Sequence, residues 1–464
     1  MFGTRTGCAH VLLCPFPTSG HIIPMLDMAS LLLSRGLKLT VLVTPTLLHL
    51  LDPVISRHAS SGSVQPLVLP LPSVHRTSNL PWPLEDMYAL CDLAGPITDW
   101  FRSHPSPPVA IISDFFLGWT HRLATDLGVP RLVLESSGAF GELIFTSMLR
   151  DLPKADDPHD DESFVHFPKL PNSPKCPWWQ LPHLYRLLNV EDPDWEFFRN
   201  SWLCNSQSWG AIVNSFDELE GPSLNQMKKE MGHDRVWAVG PLLPSDGDRT
   251  APSKRGGTSS VPVHELISWL DCKPDGSVVY VCFGSTWTLT DEQVGSLAGA
   301  LDSSGVDFVW VVKKDDVVSI PDGFDERTKG RGFMINGWAP QVQILSHRAV
   351  GAFVTHCGWN SFLEGIAASV LMLSWPLGAD QFTNTMMLVD QLGAGVKFCN
   401  LGNRAVPDSA ELARLLAESV NEKGWAEERA RVRKLRKSAV EAVKGGSSAK
   451  NLNALVKKLN ELVA

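Results

Sequence analysis

Short runs of apolar and β-branched residues alternate with longer helical patterns along this chain of 464 residues. Such runs are typical of strands buried on both faces, as in a parallel sheet. Helical patterns over 23–36 and 290–305 lie between them. The alternation indicates βαβ units that build doubly wound α/β sheets. The predicted strands cover residues 9–16, 37–44, 109–114 and 131–136, and later 277–283, 306–312, 332–336, 351–356 and 370–375.

The alternation stops in the middle of the chain and starts again, which predicts two sheets in two domains. A chain of this length is too long for one core, and two domains of roughly 200 residues each are expected. The stretch 241–262 is rich in Ser, Gly, Pro and charged residues, as linkers are. We predict domains over 1–240 and 263–445, a linker over 241–262, and an amphipathic helix in the final segment, 446–464.

Composition excludes several classes of protein. The net charge of −9 argues against nucleic acid and anionic membranes as partners. The nine cysteines are odd in number and form no CxxC pair, which favours reduced thiols in a cytoplasmic protein. No run of 18 apolar residues occurs, so no membrane span is predicted. The first apolar run is interpreted as a buried strand, because no small-residue cleavage site follows it.

The stretch from Trp338 to Gln381 carries groups suited to a nucleotide diphosphate joined to a sugar. Within it, His356, Asn360 and Ser361 lie where a predicted strand gives way to a predicted helix. Unsatisfied N–H groups and the helix dipole favour phosphate at that point, and Gly358 lets the backbone come close. A second phosphate-facing loop is predicted at 283–286, directly after the strand 277–283.

Two further side chains in this stretch suit a nucleoside. Trp338 follows a predicted strand, and its indole offers a flat apolar face for a uracil ring. The carboxylate of Glu364 can accept two hydrogen bonds from a vicinal diol. Taken singly, each of these residues would more often be an ordinary packing residue. Their joint order and spacing over 44 residues favour a binding site.

A predicted reactive pair lies in the first half of the chain. His21 follows the first strand, and Asp114 ends the strand 109–114. In a parallel sheet both side chains emerge at the same carboxyl edge, where open α/β sheets bind ligands. A carboxylate bonded to one ring nitrogen fixes the tautomer of the imidazole, which can then take a proton from a hydroxyl. Alone, the histidine would more often cap a turn and the aspartate a helix.

The stretch 338–381 and the His21 and Asp114 pair resemble the plant secondary-product UDP-glycosyltransferases, and the resemblance runs along the whole chain. It implies the GT-B fold, with two Rossmann-like domains facing a cleft. The N-terminal domain would bind the acceptor and the C-terminal domain the UDP-sugar, with the last helix returning to the first domain. The chain departs from the family pattern in two places. The stretch 369–372 is SVLM where the family usually has GVPM, and Phe362 is bulkier than the residue that many family members have at that position.

The resemblance implies inverting transfer of a sugar to a small phenolic or flavonoid hydroxyl, with His21 and Asp114 catalytic. A Gln at position 381 usually accompanies glucose in the family. The predicted UDP-binding residues are Ser285, Trp338, Ala339, Gln341, His356, Gly358, Asn360, Ser361 and Glu364. The predicted sugar-binding residues are Ser136, Trp359, Asp380 and Gln381. The predicted acceptor pocket contains Trp82, Trp119, Phe140, Trp178, Trp179, Trp202 and Trp209.

We expect a cytoplasmic monomer whose partners are a UDP-sugar and a small-molecule acceptor, with no cofactor and no metal. Two acidic triplets, 192–194 and 246–248, lie in an irregular region and in the linker, so metal binding is not expected there. Rhamnose transfer to flavonols, and transfer to terpenoids or to carbon, stay open. A nicotinamide-dependent oxidoreductase is disfavoured because GxGxxG is missing. A silent sugar-nucleotide sensor would not need His21 and Asp114 together.

Overall fold

The computed structural model describes residues 8–59, 62–71, 80–157, 159–187, 191–244, 255–313, 320–421 and 423–463. The triplet 246–248 lies outside these residues. The chain divides into two compact units. The first unit comprises Met1–Leu243 and Glu441–Ala464, and the second comprises Pro244–Val440.

The first unit is built on a seven-stranded parallel sheet with the order β3-β2-β1-β4-β5-β8-β9. Every residue of β1, β4, β5 and β8 is buried, so both faces of the central sheet are covered. The strands are β1 (His10–Cys14), β2 (Lys38–Val43), β3 (Val64–Val68), β4 (Ala110–Asp114), β5 (Arg131–Glu135), β8 (Gly210–Val213) and β9 (Val236–Ala238). A separate antiparallel pair consists of β6 (Phe164–His166) and β7 (Lys175–Pro177).

Helices follow the strands of this sheet, as the alternation in the sequence predicts. They are α1 (Ser19–Leu33), α2 (Asp52–Arg57), α3 (Leu84–Cys91), α4 (Ala94–Ser103), α5 (Thr120–Leu127), α6 (Ala139–Asp151), α7 (His183–Leu187), α8 (Pro193–Leu203) and α9 (Asp217–Met231). β1 ends at Cys14 and α1 begins at Ser19, so the start of this helix lies at the carboxyl edge of the sheet.

The second unit is built on a six-stranded parallel sheet with the order β12-β11-β10-β13-β14-β15. Its strands are β10 (Val278–Cys282), β11 (Asp307–Val312), β12 (Gly332–Asn336), β13 (Val350–Thr355), β14 (Leu371–Ser374) and β15 (Gly395–Lys397). Its helices are α10 (Val263–Asp271), α11 (Asp291–Ser304), α12 (Phe324–Arg327), α13 (Gln341–Leu345), α14 (Trp359–Ala368), α15 (Gln381–Thr385), α16 (Ser409–Ser419) and α17 (Ala426–Val443), which continues into the first unit.

Both sheets have the strand order of a doubly wound fold. The order reverses at β1, which pairs with β2 on one side and β4 on the other. It reverses in the same way at β10, between β11 and β13. In each sheet, the loops that follow the neighbouring strands diverge where the strand order reverses. The crevice that this leaves at the carboxyl edge of the sheet is where such sheets bind ligands.

The core of the second unit holds the loop that follows β10. Trp375 is fully buried, and its ring centroid lies 5.4 Å from that of Phe283 and 5.9 Å from that of Phe398. Phe283 immediately precedes Gly284, so the loop after β10 starts from a packed aromatic anchor. Close packing of this kind limits how far the loop can shift.

The last helix, α18 (Ser447–Glu461), is part of the first unit. Its Leu452, Leu455 and Leu459 are buried. The Ser448 hydroxyl donates to the Gly240 carbonyl at 2.6 Å, and the Asn460 side chain accepts from the Ala9 backbone N–H at 3.0 Å. The amphipathic pattern read from the sequence thus corresponds to a helix whose apolar face is buried.

Two further properties concern the cysteines and the length of the helices. All nine cysteines are free thiols. Within the described ranges, no helix combines the length and the apolar character needed to cross a membrane.

Replacing Thr290 by alanine is expected to lower the free energy of unfolding by about 1 kcal/mol. The Thr290 hydroxyl accepts from the Gln293 backbone N–H, and the Gln293 side chain accepts from the Thr290 N–H, both at 3.3 Å. This capping box starts α11. Urea unfolding of T290A measures the loss, and T290S should stay near the wild type because it keeps the hydroxyl. A T290A curve that superimposes on that of the wild type would contradict the prediction.

Candidate functional site

The structure brings His21 and Asp114 together at the carboxyl edge of the first sheet. His21 lies in the first turn of α1, directly after β1, and Asp114 is the last residue of β4, which pairs with β1. The His21 Nδ1 and Asp114 Oδ2 atoms are 2.9 Å apart. Asp114 is completely buried, whereas the His21 side chain is 13% exposed. A buried acceptor thus anchors a histidine that remains accessible.

The surroundings of Asp114 fix the orientation of the imidazole. The other carboxylate oxygen, Oδ1, accepts from the Phe116 backbone N–H at 2.9 Å. A carboxylate can only accept, so the His21 Nδ1 carries the proton of this hydrogen bond. The Nε2 atom is then the ring nitrogen with a lone pair. This is the arrangement that a general base needs.

A buried cation lies behind the pair. The Arg131 guanidinium donates to the Asp114 backbone carbonyl at 3.4 Å and to the hydroxyls of Ser113 and Ser208 at 2.8 Å each. Burial lowers the pKa of Arg131 to about 10, so the group stays charged at neutral pH. Ser136, predicted to face the sugar, is buried with its hydroxyl 3.4 Å from the His21 Nδ1.

Aromatic rings enclose the His21 imidazole. The ring centroids of Phe116 and Phe115 lie 4.9 and 5.0 Å from that of His21. Of the residues predicted for the acceptor pocket, Trp202 joins this cluster through Phe115, at 5.1 Å between centroids, and Trp82 joins it through Phe116, at 5.7 Å. Trp82 is among the few large apolar side chains that are exposed. A flat apolar molecule would be held beside the histidine by such rings.

The other predicted acceptor residues lie in different surroundings. Phe140 is buried in the first turn of α6, and Trp119 precedes α5. Trp178 and Trp179 follow β7, and the Trp179 indole donates to Glu162 at 2.9 Å. The structure does not bring these residues into ring contact with His21 within the described part of the first unit.

Trp209 lies at the opposite edge of the first sheet. It immediately precedes β8, at the amino end of the strand, whereas His21 and Asp114 lie at the carboxyl ends of their strands. There it lines a cavity of about 380 Å³ with His121, His233 and Arg235. Trp209 is therefore not among the residues that the structure places beside the histidine.

In the second unit, Trp338, Gln341 and Glu364 form one connected group. The Gln341 amide donates to Glu364 Oε2 at 2.7 Å and to the Ser361 hydroxyl at 3.0 Å. The Tyr280 hydroxyl donates to Gln341 Oε1 at 3.1 Å, which fixes the orientation of that amide. Trp338 follows β12, three residues before Gln341 begins α13. Ala339 lies between them, and its carbonyl accepts from the Gln341 N–H at 2.9 Å.

His356 is held between two glycines at the point where β13 gives way to α14. A Cβ atom at Gly358 would lie 2.5 Å from the His356 Nε2, and one at Gly284 would lie 2.6 Å from it. Gly284 also has a φ of +75°, which disfavours a side chain there. Only glycine at both positions leaves room for the imidazole. The loops after β10 and β13 thus meet at the reversal of strand order.

This junction has the electrostatics of an anion site. Gly358 is the N-cap of α14, and Asn360 and Ser361 occupy its first turn, at the positive end of the helix dipole. Ser285 is exposed on the loop after β10. Burial, and then the charge of Lys313, lowers the pKa of His356 to about 4. At neutral pH the imidazole is therefore uncharged and presents one N–H donor.

Three of the four residues predicted to face the sugar, Asp380, Gln381 and Trp359, lie beside the same junction in the second unit. Asp380 is the N-cap residue of α15, and one of its carboxylate oxygens accepts from Asn384 at 3.0 Å. Asn384 also donates to the Cys357 carbonyl at 2.9 Å, which ties α15 to the His356 loop. The Gln381 oxygen accepts from the backbone N–H of Leu377 at 2.8 Å, so its NH₂ group is the donor left to a ligand. Trp359 is buried and stacked on Phe362 at 4.8 Å.

Two cationic residues of this site were not predicted. Lys313 directly follows β11, so it too emerges at the carboxyl edge, and its position after a strand was the signal that could have found it. Arg255 donates to Glu364 Oε1 at 2.5 Å. It belongs to the predicted linker, where the sequence carries no periodic pattern that would indicate a contact.

In the described ranges, no three His, Cys, Asp or Glu side chains come together in a way that could hold a metal ion. The predicted triplet at 192–194 has structural partners instead. Asp192 caps α8 through the Asp194 N–H at 2.9 Å, and Asp194 accepts from the Tyr88 hydroxyl at 2.7 Å.

We expect His356 to make the protein sensitive to acid. Its folded pKa, about 4, is below the ordinary value of 6.5, so between these values only the unfolded chain takes up a proton there. Stability from the neutral imidazole is therefore complete above pH 6.5 and is lost as the pH falls, by about 2 kcal/mol at about pH 5. Urea unfolding at pH 7 and 5 should show a smaller loss for H356N than for the wild type. Equal losses would contradict the assignment.

Comparison with known proteins gives consistent matches along the chain. The family model described as UDP-glucoronosyl and UDP-glucosyl transferase matches residues 261–439. The flavonol 3-O-glucosyltransferase UGT89B1 of Arabidopsis thaliana is 48% identical, covering 98% of this chain and 96% of the relative. The UDP-glycosyltransferase 89B2 of Stevia rebaudiana is 46% identical over 97% of this chain and 98% of the relative. The crystal structure of Arabidopsis thaliana UGT89C1 with UDP-L-rhamnose has a TM-score of 0.79 and 36% identity, covering 98% of this chain and 100% of that one.

Proposed function

The chain belongs to the UDP-glucoronosyl and UDP-glucosyl transferase family and has its GT-B fold, and from that premise we propose that it transfers glucose from UDP-glucose to a hydroxyl of a flavonoid or related phenol. That it is a UDP-glycosyltransferase follows from the family. The sugar, the acceptor and the roles of individual residues are the proposal. The observation that carries it is the hydrogen bond between His21 and Asp114, in a chain whose relatives act on flavonols.

His21 is the proposed general base. Its Nε2 takes the proton of the acceptor hydroxyl as the acceptor oxygen forms a bond to the anomeric carbon of the sugar. The bond between that carbon and the UDP oxygen breaks, and UDP leaves with the electron pair. Attack from the face opposite UDP inverts an α-linked donor to a β-linked product. Asp114 stabilises the imidazolium that forms. The general-base step as a whole should raise the rate by about 10²–10⁴.

The second unit supplies the proposed donor site. Trp338 would stack on uracil with the Ala339 backbone at the edge of the base, and Glu364 and Gln341 would take the ribose hydroxyls. The pyrophosphate would lie against Ser285, His356, Gly358, Asn360 and Ser361, where the α14 N-terminus stabilises the charge that develops on UDP. Support comes from the junction, where His356 lies between Gly284 and Gly358 and where burial and the charge of Lys313 lower the pKa of its imidazole to about 4.

Glucose is the proposed sugar, with Asp380, Gln381 and Trp359 of the second unit as its proposed ligands. The name of the relative at 48% identity, a flavonol 3-O-glucosyltransferase, supports this choice. A rhamnosyl donor is the second candidate, because a relative at 36% identity was crystallised with UDP-L-rhamnose. The Gln381 NH₂ group is available to a sugar hydroxyl, since its oxygen is bonded to the backbone.

The proposed acceptor site is the aromatic cluster around His21. Phe115 and Phe116 pack against the imidazole, and Trp202 and Trp82 pack in turn against these two rings. Such a cluster offers the flat apolar faces that a flavonoid ring system requires. The relative crystallised with UDP-L-rhamnose, UGT89C1 of Arabidopsis thaliana, has also been crystallised with quercetin. We place this reaction in the cytoplasm and without a metal, supported by the free thiols and by the structural partners of Asp192 and Asp194.

The experiment is a panel of UDP-glucose, UDP-galactose and UDP-rhamnose against flavonols, hydroxybenzoates and terpenols, with products identified by mass. We expect the largest kcat/KM for UDP-glucose with a flavonol, and a β-linked product by NMR coupling constants. A preference for UDP-rhamnose would overturn the sugar assignment alone. Preference for a terpenol, or a carbon-linked product, would overturn the acceptor assignment.

A further inference from the structure

A short segment of the chain outside the motif lies against the proposed uridine subsite. It is residues 255–260, which we call the strap, and it belongs to the second unit together with Trp338 and Glu364. Two of its residues contact Trp338 and a third contacts Glu364. These are the two side chains proposed to hold the base and the ribose.

At Trp338 the strap makes backbone and ring contacts. The Ser260 N–H donates to the Trp338 carbonyl at 2.8 Å, and the Trp338 N–H donates to the Ser260 hydroxyl at 2.7 Å. A Cβ atom at Gly257 would lie 3.3 Å from the indole, so the glycine backbone itself packs on the ring. The strap therefore fixes the position of the indole.

At Glu364 the strap supplies a cation. The Arg255 Nη1 donates to Glu364 Oε1 at 2.5 Å, and the two side chains are 15% and 4% exposed. The other oxygen, Oε2, accepts from Gln341 at 2.7 Å. A carboxylate has about four lone-pair directions, and these two hydrogen bonds use two of them. One position on each oxygen remains for the two ribose hydroxyls.

We propose that Arg255 is a positioning residue for the donor, which holds the Glu364 carboxylate in the orientation that accepts the ribose diol. The inference rests on the proposed donor site and deepens it. Arg255 acts through Glu364 and takes no part in bond making, so its effect falls on binding of the nucleotide.

The physical reason lies in the burial of the carboxylate. A buried charge is expensive to hold without a partner, and removing one member of a buried ion pair leaves the other uncompensated. Without Arg255, Glu364 can rotate toward solvent or draw Gln341 away from Ser361. Either change removes the diol acceptor that the pair presents. A neutral replacement is expected to weaken UDP about tenfold, a typical effect for a residue that supports a ligand-binding group.

The test compares R255A and R255K with the wild type by calorimetric titration with UDP and by steady-state kinetics. R255A should raise the Kd for UDP and the KM for UDP-glucose about tenfold and leave kcat within about twofold, and R255K should recover part of the loss. The matched control is R414A, which removes an exposed arginine paired with Glu411 and Glu418 on α16. Thermal unfolding confirms that the variants are folded.

A second ligand distinguishes this role from a merely structural one. 2′,3′-Dideoxy-UDP lacks both ribose hydroxyls, so R255A should bind it as well as the wild type does. If R255A binds UDP as tightly as the wild type or more tightly, or weakens both nucleotides equally, the inference is wrong. If the wild type binds no UDP at all, the proposed donor site itself fails, which is a separate and recognisable result.

Discussion

Replacement of His21 by alanine is expected to lower kcat for glycosylation of a phenol by about a thousandfold, within the range of 10²–10⁴ for a general base. The imidazole packs against Phe115 and Phe116, at 5.0 and 4.9 Å between ring centroids, and its Nδ1 is held by Asp114 at 2.9 Å. Among the residues that the structure describes, no other side chain hydrogen-bonds to the Asp114 carboxylate. Initial rates with UDP-glucose and a flavonol, followed by product mass, measure the change.

Binding of the donor should survive this substitution. The proposed UDP ligands all lie in the second unit, so H21A should bind UDP with the affinity of the wild type. The control variant is H49A, since His49 is an exposed histidine of the same unit whose Nδ1 bonds only a neighbouring turn, through the Thr46 carbonyl at 2.9 Å. Wild-type turnover by H21A, measured on soluble folded protein, would remove the general base from the mechanism.

Replacement of Gly358 by alanine is expected to weaken UDP by about a hundredfold or more, comparable to a lost charge-assisted contact together with a steric block. The added Cβ would lie 2.5 Å from the His356 Nε2, a separation that nonbonded atoms do not tolerate. The backbone of Gly358 has φ −58° and ψ 146°, which alanine adopts without strain. The loss should therefore come from displacement of the imidazole into the phosphate position. Calorimetric titration with UDP measures it.

The matched control is Gly295→Ala in α11. A Cβ there meets nothing within 4 Å, and alanine is favoured over glycine inside a helix by about 1 kcal/mol. G295A should bind UDP as the wild type does and unfold at slightly higher urea. If G358A binds UDP with wild-type affinity, then the phosphate does not lie beside the His356 imidazole.

The carboxyl edges of both sheets were predictable because their signals are local. His21 and Asp114 stand immediately after or at the end of apolar runs, and the topology then makes them neighbours, as it does for the loops holding Gly284 and His356. The start of α14 at Trp359 follows from the change from strand to helical pattern. Each inference needs only the order of elements and the direction of parallel strands.

Strands that are short, or in which apolar and polar residues are mixed, were not predicted from the sequence. β3 contains Gln65 and Pro66 and is mostly exposed, because it is the edge strand, so its sequence lacks the continuous apolar run of a central strand. β8 and β9 are short and were not assigned. Trp209 immediately precedes β8. Because this strand was not predicted, Trp209 could not be assigned from the sequence to the amino or the carboxyl edge of the sheet.

The contact between Arg255 and Glu364 shows a different limit. The two residues are 109 positions apart, and Arg255 lies in a stretch whose composition predicts only a linker. Nothing in a non-periodic segment indicates which charge it will meet. Pairings of this kind are set by the packed structure as a whole, and the sequence alone does not fix them.

The return of α18 to the first unit has a consequence for the order in which the protein matures. Its Ser448 and Asn451 side chains satisfy backbone carbonyls at Gly240 and Ala238, beside the edge strand β9. During synthesis these partners emerge from the ribosome only after all of Pro244–Val440 has been made. The first unit is therefore completed only after the second unit has been translated. Until α18 is made, the edge strand β9 must avoid pairing with other strands.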